Sequence, residues 1–325
     1  MKDTIFGLWF ATDGGGLNKY NKLTNTYTHY RYKPGSKQTL ADDAVVSVFC
    51  DSKGTIWSGT YTGGLCKFDN VSEHFISYQY SKNRNSLPGN YVKCIIEDQN
   101  QNLWLGTDGS GISYFNPITE KFINYSKLKH DGLISDNITY LYLQNNTTLW
   151  IGTHSGICKF DIATQKFKSY DNRIFTATPT IYNIVEDAGK QLWIGTSSGL
   201  YQYDLDKDTF FNDTLLEDLQ KSIINAIVPY KNQLWLSTNK GIASYDPKEK
   251  QIKSFISNND LGGTNFIRSS SYLSPQNEIF FGGSKGAYSF FPDKIKEGEP
   301  LPMPFPIILL VHLKESERYY NRIQR

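Results

Sequence analysis

A five-residue phrase built on an aromatic residue between aliphatic ones occurs seven times along the chain. It reads LWFAT at 8–12, IWSGT at 56–60, LWLGT at 103–107, LWIGT at 149–153 and at 192–196, LWLST at 234–238, and IFFGG at 279–283. All six tryptophans lie in it, and with Phe280 as the seventh aromatic residue they recur every 42 to 48 residues. Self-similarity at this period predicts a repeat architecture, which limits the fold more than any other feature.

Each repeat has the signatures of four short strands, which we label A to D in chain order. Strand A has apolar residues three positions apart, as at Ile181 and Ile184, and Asp187 then begins a turn into strand B, the anchor phrase. A Gly-rich turn leads to strand C, and a hairpin of near-constant length leads to strand D. Four antiparallel strands in about 45 residues form a propeller blade. The sequence therefore predicts an all-β fold, a seven-bladed β-propeller of four-stranded antiparallel blades.

The recurring tryptophan is interpreted as a core residue between blades. A blade is a twisted sheet covered on both faces by its neighbours, so its central strand needs bulk that points at the next blade. The Gly that follows the aromatic residue in most repeats lets neighbouring backbones approach. We therefore expect the tryptophans to contribute to stability and not to contact a ligand.

The first and last blades are incomplete. Blade 1 enters at its A-to-B turn and lacks strand A, and blade 7 has strands A to C followed by a proline-rich stretch. The sequence assigns residues 1–300 to the propeller and 301–325 to a C-terminal strand and tail. Ile307, Leu310 and Leu313 have the spacing of strand A. This segment is expected either to close the ring or to begin a following domain.

Composition excludes several classes of function. The formal net charge is +2 with no clustered basic patch, which argues against a nucleic-acid surface. Cys66 and Cys158 share one column of two repeats, so no disulfide framework is expected. No cofactor, metal or catalytic site is assigned, since the acidic run from Asp204 is a C-to-D hairpin and lacks the Gly and Glu of a calcium loop. No apolar run is long enough to predict a membrane segment, and the start of the sequence is not expected to be a secretion signal.

Candidate ligand-binding residues lie in the loops that share one face. Strand alternation places the B-to-C turns and the D-to-A loops together, and these are the longer and more variable connections. Their polar and aromatic side chains suit an oligosaccharide, with Arg available for an acidic sugar. The first three B-to-C turns are one residue longer than the next three, either through drift or to fit a single ligand. The candidates are Arg84, Asn90, Tyr91, His130, Asn137, His154, Arg173, Tyr182, Asn265 and Arg268.

Two stretches carry a resemblance to a known family. VEDAGKQLWIGTSSGLYQYD at 185–204 and IIEDQNQNLWLGTDGSGISYFNPITEKFINYS at 95–126 resemble the two-component regulator propeller repeat. The resemblance extends from residue 3 to about residue 291. That repeat builds the extracytoplasmic sensor of bacterial hybrid histidine kinases.

The resemblance implies a non-catalytic sensor propeller in the periplasm. It would recognise an oligosaccharide from glycan breakdown and signal to a kinase outside this chain, and intact members would act as homodimers. In the family a β-sandwich follows the propeller, and PFPIILLVHL at 304–313 is similar to its opening strand. The chain is accordingly expected to be truncated near the start of that sandwich.

Two other functions stay open at the level of sequence. One is a propeller lyase or glycosidase acting on a polysaccharide with His or Tyr and Arg, and the other is a protein-interaction scaffold. An enzyme needs an acid, a base and a charge-neutralising residue within hydrogen-bond reach of one another, whereas a sensor does not. The sequence places no such group.

Overall fold

The computed structural model describes residues 7–82, 85–170, 175, 179–211, 219, 221–257 and 265–295. All pairings between its strands are antiparallel and join strands that follow one another in the chain. The chain divides into two compact units, Met1–Asp171 and Asn172–Arg325.

The first unit contains blades 1 to 4. Blade 1 has β1 (Gly7–Thr12), β2 (Gly16–Asn21) and β3 (Thr26–Tyr30), and blade 2 has β4 (Val45–Cys50), β5 (Ile56–Thr60), β6 (Leu65–Asp69) and β7 (His74–Tyr78). Blade 3 has β8 (Val92–Glu97), β9 (Leu103–Thr107), β10 (Ile112–Asn116) and β11 (Lys121–Tyr125). Blade 4 has β12 (Ile138–Gln144), β13 (Thr148–Thr153), β14 (Gly156–Asp161) and β15 (Lys166–Tyr170).

The second unit contains blades 5 to 7. Blade 5 has β16 (Ile181–Glu186), β17 (Leu192–Thr196), β18 (Gly199–Asp204) and β19 (Thr209–Phe211), and blade 6 has β20 (Ile224–Tyr230), β21 (Gln233–Thr238), β22 (Gly241–Asp246) and β23 (Gln251–Ser257). Blade 7 has β24 (Phe266–Leu273), β25 (Ile279–Gly283) and β26 (Gly286–Phe290), and a 3₁₀ turn follows at Pro292–Lys294.

Seven successive antiparallel sheets confirm the predicted fold, an all-β, seven-bladed propeller. Blades 1 and 7 have three strands each among the described residues, as the sequence indicated, and the other blades have four. The C-terminal segment 301–325, which we expected to close the ring or to begin another domain, lies outside the described residues. Its role and the domain boundary at residue 300 stay predictions.

Each anchor phrase forms strand B, and its tryptophan packs between blades as expected. In β5, β9 and β17 every residue is buried. The indole rings contact an aromatic ring of strand C in the next blade at centroid distances of 4.9 to 5.9 Å: Trp9 on Phe68, Trp57 on Phe115, Trp104 on Phe160, Trp193 on Tyr245 and Trp235 on Phe290. These contacts join neighbouring blades within each unit.

The Gly of the anchor phrase is required for this close packing. A Cβ added to Gly106 of blade 3 would lie 2.7 Å from Cγ2 of Ile138, the first residue of blade 4. A Cβ on Gly195 of blade 5 would lie 2.9 Å from Cγ2 of Ile224, the first residue of blade 6. Both distances are shorter than an ordinary carbon–carbon contact, so only Gly permits this approach of blade to blade.

An aspartate at the A-to-B turn fixes both the turn and the tryptophan. Asp51 Oδ1 accepts the backbone N–H of Lys53 at 3.0 Å and that of Thr55 at 2.8 Å, and its Oδ2 accepts the indole N–H of Trp57 at 2.9 Å. Asp187 repeats the arrangement in blade 5, with the Trp193 indole N–H 2.8 Å from its Oδ2. The buried indole donor is therefore satisfied, and the aspartate is needed for structure.

Strand A contains a feature that sequence reasoning missed. In β4, β8, β12, β16 and β20 the pairing with strand B shifts register after the first residue, so that each strand has a β-bulge at its beginning. The bulged residues, which are skipped in the pairing, are Val46, Lys93, Thr139, Tyr182 and Asn225. A bulge frees one side chain from the alternation of the strand and re-aims it. The apolar spacing of three, as at Ile181 and Ile184, was its signal, because side chains on one face of a regular strand are an even number of residues apart.

The cysteines behave as small apolar residues, as expected. Cys66 and Cys158 are both fully buried in strand C, and all four cysteines of the chain are free. Burial raises the pKa of the Cys158 thiol to about 12. Both buried thiols therefore stay protonated at neutral pH, which suits packing and not reaction.

Replacement of Trp193 by alanine tests the contact between blades. Trp193→Ala removes the ring that packs on Tyr245 at 5.7 Å and the hydrogen bond to Asp187. We expect the free energy of unfolding to fall by about 3–5 kcal/mol, measured by chemical denaturation. Trp193→Phe keeps most of the apolar contact and should lose less. Equal losses in the two variants would contradict this assignment.

Replacement of Gly195 by alanine tests the close approach of neighbouring blades. The new methyl group would lie 2.9 Å from Cγ2 and 3.1 Å from the carbonyl oxygen of Ile224, so we expect a loss of about 1–3 kcal/mol in unfolding free energy. Gly189→Ala is the matched control, because Gly189 is exposed and its added Cβ would lie 3.3 Å from the Asp187 Oδ1 atom. A loss at Gly189 as large as that at Gly195 would rule out blade spacing as the cause.

Candidate functional site

The B-to-C turns and the D-to-A loops meet at one end of the blades, which we call the top face. The residue after the anchor phrase donates its N–H to the carbonyl of the residue that precedes strand A of the same blade, at 2.8 to 3.3 Å. The pairs are Tyr61 with Ala44, Asp108 with Tyr91, His154 with Asn137, Ser197 with Thr180, Asn239 with Ile223, and Ser284 with Asn265. Three predicted site residues, Tyr91, Asn137 and Asn265, therefore share one structural position, and His154 lies at the position that faces it.

The threonine of the anchor phrase sets the length of each turn. Its hydroxyl donates to a Gly carbonyl four residues on in blades 1 to 3, as from Thr60 to Gly64 at 2.9 Å and from Thr107 to Gly111 at 2.7 Å. In blades 4 to 6 the partner is three residues on, as from Thr153 to Gly156 at 2.8 Å and from Thr196 to Gly199 at 2.9 Å. The longer turns in blades 1 to 3 are thus a regular feature of the structure, and they add a residue to the top face there.

A second set of hydrogen bonds fixes the position of Asn90 in its loop. Its carbonyl accepts the N–H of Gly64 at 3.0 Å, and its Oδ1 accepts the N–H of Tyr80 at 2.6 Å. Asp43 and Asp136 do the same for the neighbouring blades, with side-chain oxygens 2.7 Å from the N–H groups of Tyr32 and Lys127 respectively. The structure therefore places the Asn90 side chain inside its loop.

Residues from three blades converge at the top of the first unit and form what we call the Tyr91 cluster: Tyr61, Tyr91, Lys93, Asp108 and His154. The rings of Tyr61 and Tyr91 meet edge to face, with centroids 4.5 Å apart. Lys93 Nζ lies 5.3 Å from the Tyr91 ring centroid, 2.7 Å from Asp108 Oδ2 and 3.4 Å from His154 Nε2. Tyr91 and His154 were predicted, whereas the other three were not.

The β-bulge and the turns position the residues that were missed. Lys93 is the bulged residue of β8, and Tyr61 and Asp108 follow anchor threonines in the same column as His154. The column was visible in the sequence, but only His154 was singled out from it. The pairing of Lys93 with residues of two turns depends on the backbone path and could not be read from the sequence.

The electrostatic environment of the Tyr91 cluster keeps its phenol protonated. Burial raises the pKa of the Tyr91 hydroxyl, and the nearby groups of Asp108, Tyr61 and Asp13 raise it further. Tyr91 is therefore a neutral hydrogen-bond donor at physiological pH. Tyr61 keeps 54% of its surface exposed, so the cluster offers an accessible aromatic ring beside charged groups.

A second group of predicted residues lies at the top of the second unit. The Arg268 guanidinium lies over the ring of Tyr182, with Cζ 4.7 Å from the ring centroid. The neighbouring Ser269 has a φ of 59° and donates its hydroxyl to the Tyr182 carbonyl. Tyr182 is only 5% exposed, whereas Arg268 and Asn265 are exposed. The structure thus brings Tyr182 and Arg268 together, with the guanidinium outermost.

The remaining predicted residues lie elsewhere. The His130 ring packs on Tyr125 and Phe167 at centroid distances of 5.1 and 5.9 Å, and its Nδ1 lies 3.2 Å from the Ser126 N–H, so it belongs to the outer part of its loop. Asn137 is exposed, and its carbonyl accepts the N–H of His154 in the Tyr91 cluster at 3.3 Å. Arg84 and Arg173 lie outside the described residues.

Other kinds of site are not found in the part of the chain that the structure describes. No group of three His, Cys, Asp or Glu side chains there is arranged to hold a metal ion. The acidic run from Asp204 is a hairpin, as predicted: Asp204 accepts the Lys207 N–H at 3.0 Å, and this bond lowers the pKa of its carboxyl group. Within the same ranges no helix has the length and apolar character needed to cross a bilayer.

Two segments of the chain match the model of a known family. They cover residues 39–62 and 86–109, and the family is described as two component regulator propeller. Each segment contains the loop before strand A, strand A, the A-to-B turn and strand B. Residues 39–62 and 86–109 therefore match two-component regulator propeller repeats. The resemblance noted in the sequence is confirmed.

The similar proteins include a histidine kinase and extracellular domains of two component systems. A histidine kinase of Formosa agariphila is 29% identical over 166 residues, which are 50% of this chain and 12% of that protein. The extracellular domain of a protein described as a hybrid two component system of B. thetaiotaomicron is 25% identical, with a TM-score of 0.70 over 86% of this chain and 37% of that one. A second such domain from the same organism shares the fold at 19% identity, with a TM-score of 0.72, 90% of this chain and 40% of that one being covered. This chain therefore spans well under half the length of these relatives.

Substitution of Asn90 distinguishes a structural from a ligand-binding role. Asn90→Ala removes the acceptor of the Tyr80 N–H and should cost about 0.5–1.5 kcal/mol of unfolding free energy. Asn90→Asp keeps an oxygen in the same place, as Asp43 and Asp136 do, and should retain the stability of the unchanged protein. Thermal denaturation of both variants makes the comparison. Equal melting temperatures for all three proteins would leave Asn90 available for a ligand and contradict this assignment.

Proposed function

We propose that this chain is the ligand-sensing propeller of a hybrid two-component system and that its ligand is an oligosaccharide. The observation on which the proposal rests is the Tyr91 cluster, where side chains from blades 2, 3 and 4 converge on an accessible aromatic ring. The propeller repeats and the extracellular domains of similar fold support the role in sensing.

The chemistry of the cluster suits a sugar. Tyr61 offers an exposed ring on which the apolar face of a pyranose stacks, as aromatic side chains with one polar end commonly do at binding surfaces. The Tyr91 hydroxyl is a protonated donor, and the Asp108 carboxylate accepts hydrogen bonds from hydroxyl groups. A ring to stack on and both kinds of hydrogen-bonding group thus lie within one small area.

The same geometry favours binding over catalysis. Lys93 and Asp108 form an ion pair at 2.7 Å, so each neutralises the charge that the other would need as a general acid or base. His154 is exposed, and its Nε2 lies 3.4 Å from the Lys93 ammonium. Lys93, Asp108 and His154 nevertheless lie close together, so turnover must be measured together with binding.

The proposed partners follow from the relatives. A kinase segment outside this chain would receive the signal, as the histidine kinase relative suggests. A homodimer of the intact protein stays a prediction. The similar domains are extracellular, which supports a location outside the cytoplasm, and we place this chain in the periplasm. The second group at Tyr182 and Arg268 is a further candidate contact surface for the same ligand class.

Titration of the chain with a panel of oligosaccharides tests the proposal. At least one glycan should bind, and Tyr61→Ala should weaken its binding by about tenfold or more, which corresponds to a lost contact of about 1.4 kcal/mol. Tyr272→Ala is the matched control, since Tyr272 lies near the end of strand A in blade 7 and is 49% exposed. It should leave the affinity unchanged.

Two outcomes would contradict the proposal. If no glycan binds to the folded protein, an oligosaccharide ligand is wrong. If a bound glycan is cleaved, as shown by new products in chromatography, the sensor is replaced by the lyase or glycosidase alternative. Product analysis should therefore accompany every titration.

A further inference from the structure

The cation of the Tyr91 cluster is already neutralised. Lys93 Nζ lies 2.7 Å from the Asp108 carboxylate, and both side chains are about three-quarters shielded, with exposures of 23% and 24%. A carboxylate or sulfate on a sugar would have to displace Asp108 to gain this ammonium group. Because a partly buried ion pair is screened less than an exposed one, that exchange is unfavourable.

Further negative charge lies around the cluster. Asp13 occupies the B-to-C turn of blade 1, and its charge contributes to the raised pKa of Tyr91. The Asp42 carboxylate accepts hydrogen bonds from the backbone N–H and the hydroxyl of Thr62, both at 2.7 Å. These bonds place a further negative charge beside the residue that follows Tyr61. Among the described residues around the two tyrosines, Asp13, Asp42 and Asp108 therefore outnumber the ammonium group of Lys93.

Another basic residue of the D-to-A loops in this unit is already paired. Arg31 Nε lies 3.1 Å from Asp43 Oδ1, and the two side chains are 33% and 29% exposed. An acidic sugar gains little from a guanidinium group that a carboxylate already neutralises.

We infer that the Tyr91 cluster binds an uncharged oligosaccharide and excludes uronate-containing and sulfated ones. The inference rests on the proposed function and specifies its ligand. Sugar hydroxyl groups donate to the carboxylates of Asp13 and Asp108, the Tyr91 hydroxyl donates to a sugar oxygen, and one pyranose ring stacks on Tyr61. Neutral hydroxyls do this without disturbing the pair of Lys93 and Asp108.

The test compares ligands that differ only in charge. Acidic oligosaccharides are titrated beside their methyl-esterified forms, which have the same sugars and linkages without the negative charges, and beside neutral oligosaccharides. The neutral form should bind at least about tenfold more tightly than its acidic counterpart. Its affinity should change less than about twofold between low and physiological salt, because no net charge is brought to the site.

Two substitutions show whether the preference for neutral ligands arises in the Tyr91 cluster. Asp13→Asn removes an exposed negative charge and should narrow the difference between the acidic and esterified ligands. Tyr61→Ala should weaken the neutral ligand by about tenfold. Circular dichroism and the melting temperature show whether both variants fold, and Tyr272→Ala again serves as the control.

The outcomes separate the inference from the proposed function. Tighter binding of an acidic glycan than of its ester, with an affinity that falls as salt rises, overturns the inference and keeps the sensor. Neutral-glycan binding that Tyr61→Ala does not weaken also overturns it, since the ligand would then bind elsewhere. If no glycan of either kind binds, the proposed function itself fails.

Discussion

The packing of one indole ring against the next blade is the contact on which the rest of this structure depends. Trp57 illustrates it: the ring is 1% exposed, meets Phe115 of blade 3 at 5.9 Å, and is oriented by Asp51 at the turn before it. A single blade has two apolar faces and cannot bury them alone. Repetition of this contact supplies each blade with its neighbour, and the Gly two residues after the tryptophan sets how closely they approach.

Because the contacts between blades are made by strand B, the residues of the top face can differ from blade to blade. Strand B is committed to packing along its whole length. The residue after its threonine is held by its backbone N–H, and in blades 5 to 7 also by its side chain, as where Ser197 Oγ accepts the Thr180 N–H at 3.1 Å. In blades 2 to 4 the same position is occupied by Tyr61, Asp108 and His154. A repeat that is nearly invariant in its core thus presents a different chemical group at each turn.

The sequence was sufficient for the fold and only partly sufficient for the site. Strand order, blade count and the role of the tryptophans follow from periodicity, because burial repeats wherever the core repeats. The Tyr91 cluster depends on side-chain contacts among residues that are far apart in the chain, since Lys93 contacts both Asp108 and His154, and no local pattern reports them. Asn90 shows the opposite case, since a polar loop residue that looks available in the sequence is used by the backbone.

The way in which the cluster is held suggests how a ligand would be sensed. Its members belong to three blades, and their backbones are fixed by hydrogen bonds such as those from Asp108 to the Tyr91 carbonyl and from the Ser47 hydroxyl of blade 2 to the Val92 carbonyl of blade 3. A site whose backbone is already ordered loses little entropy on binding. A ligand that contacts all three blades favours the state in which they are packed together, and its binding energy then stabilises the contacts between blades. If the proposed sugar binds here, it acts directly on the contacts that the tryptophans maintain, and sensing then requires no large rearrangement of a blade.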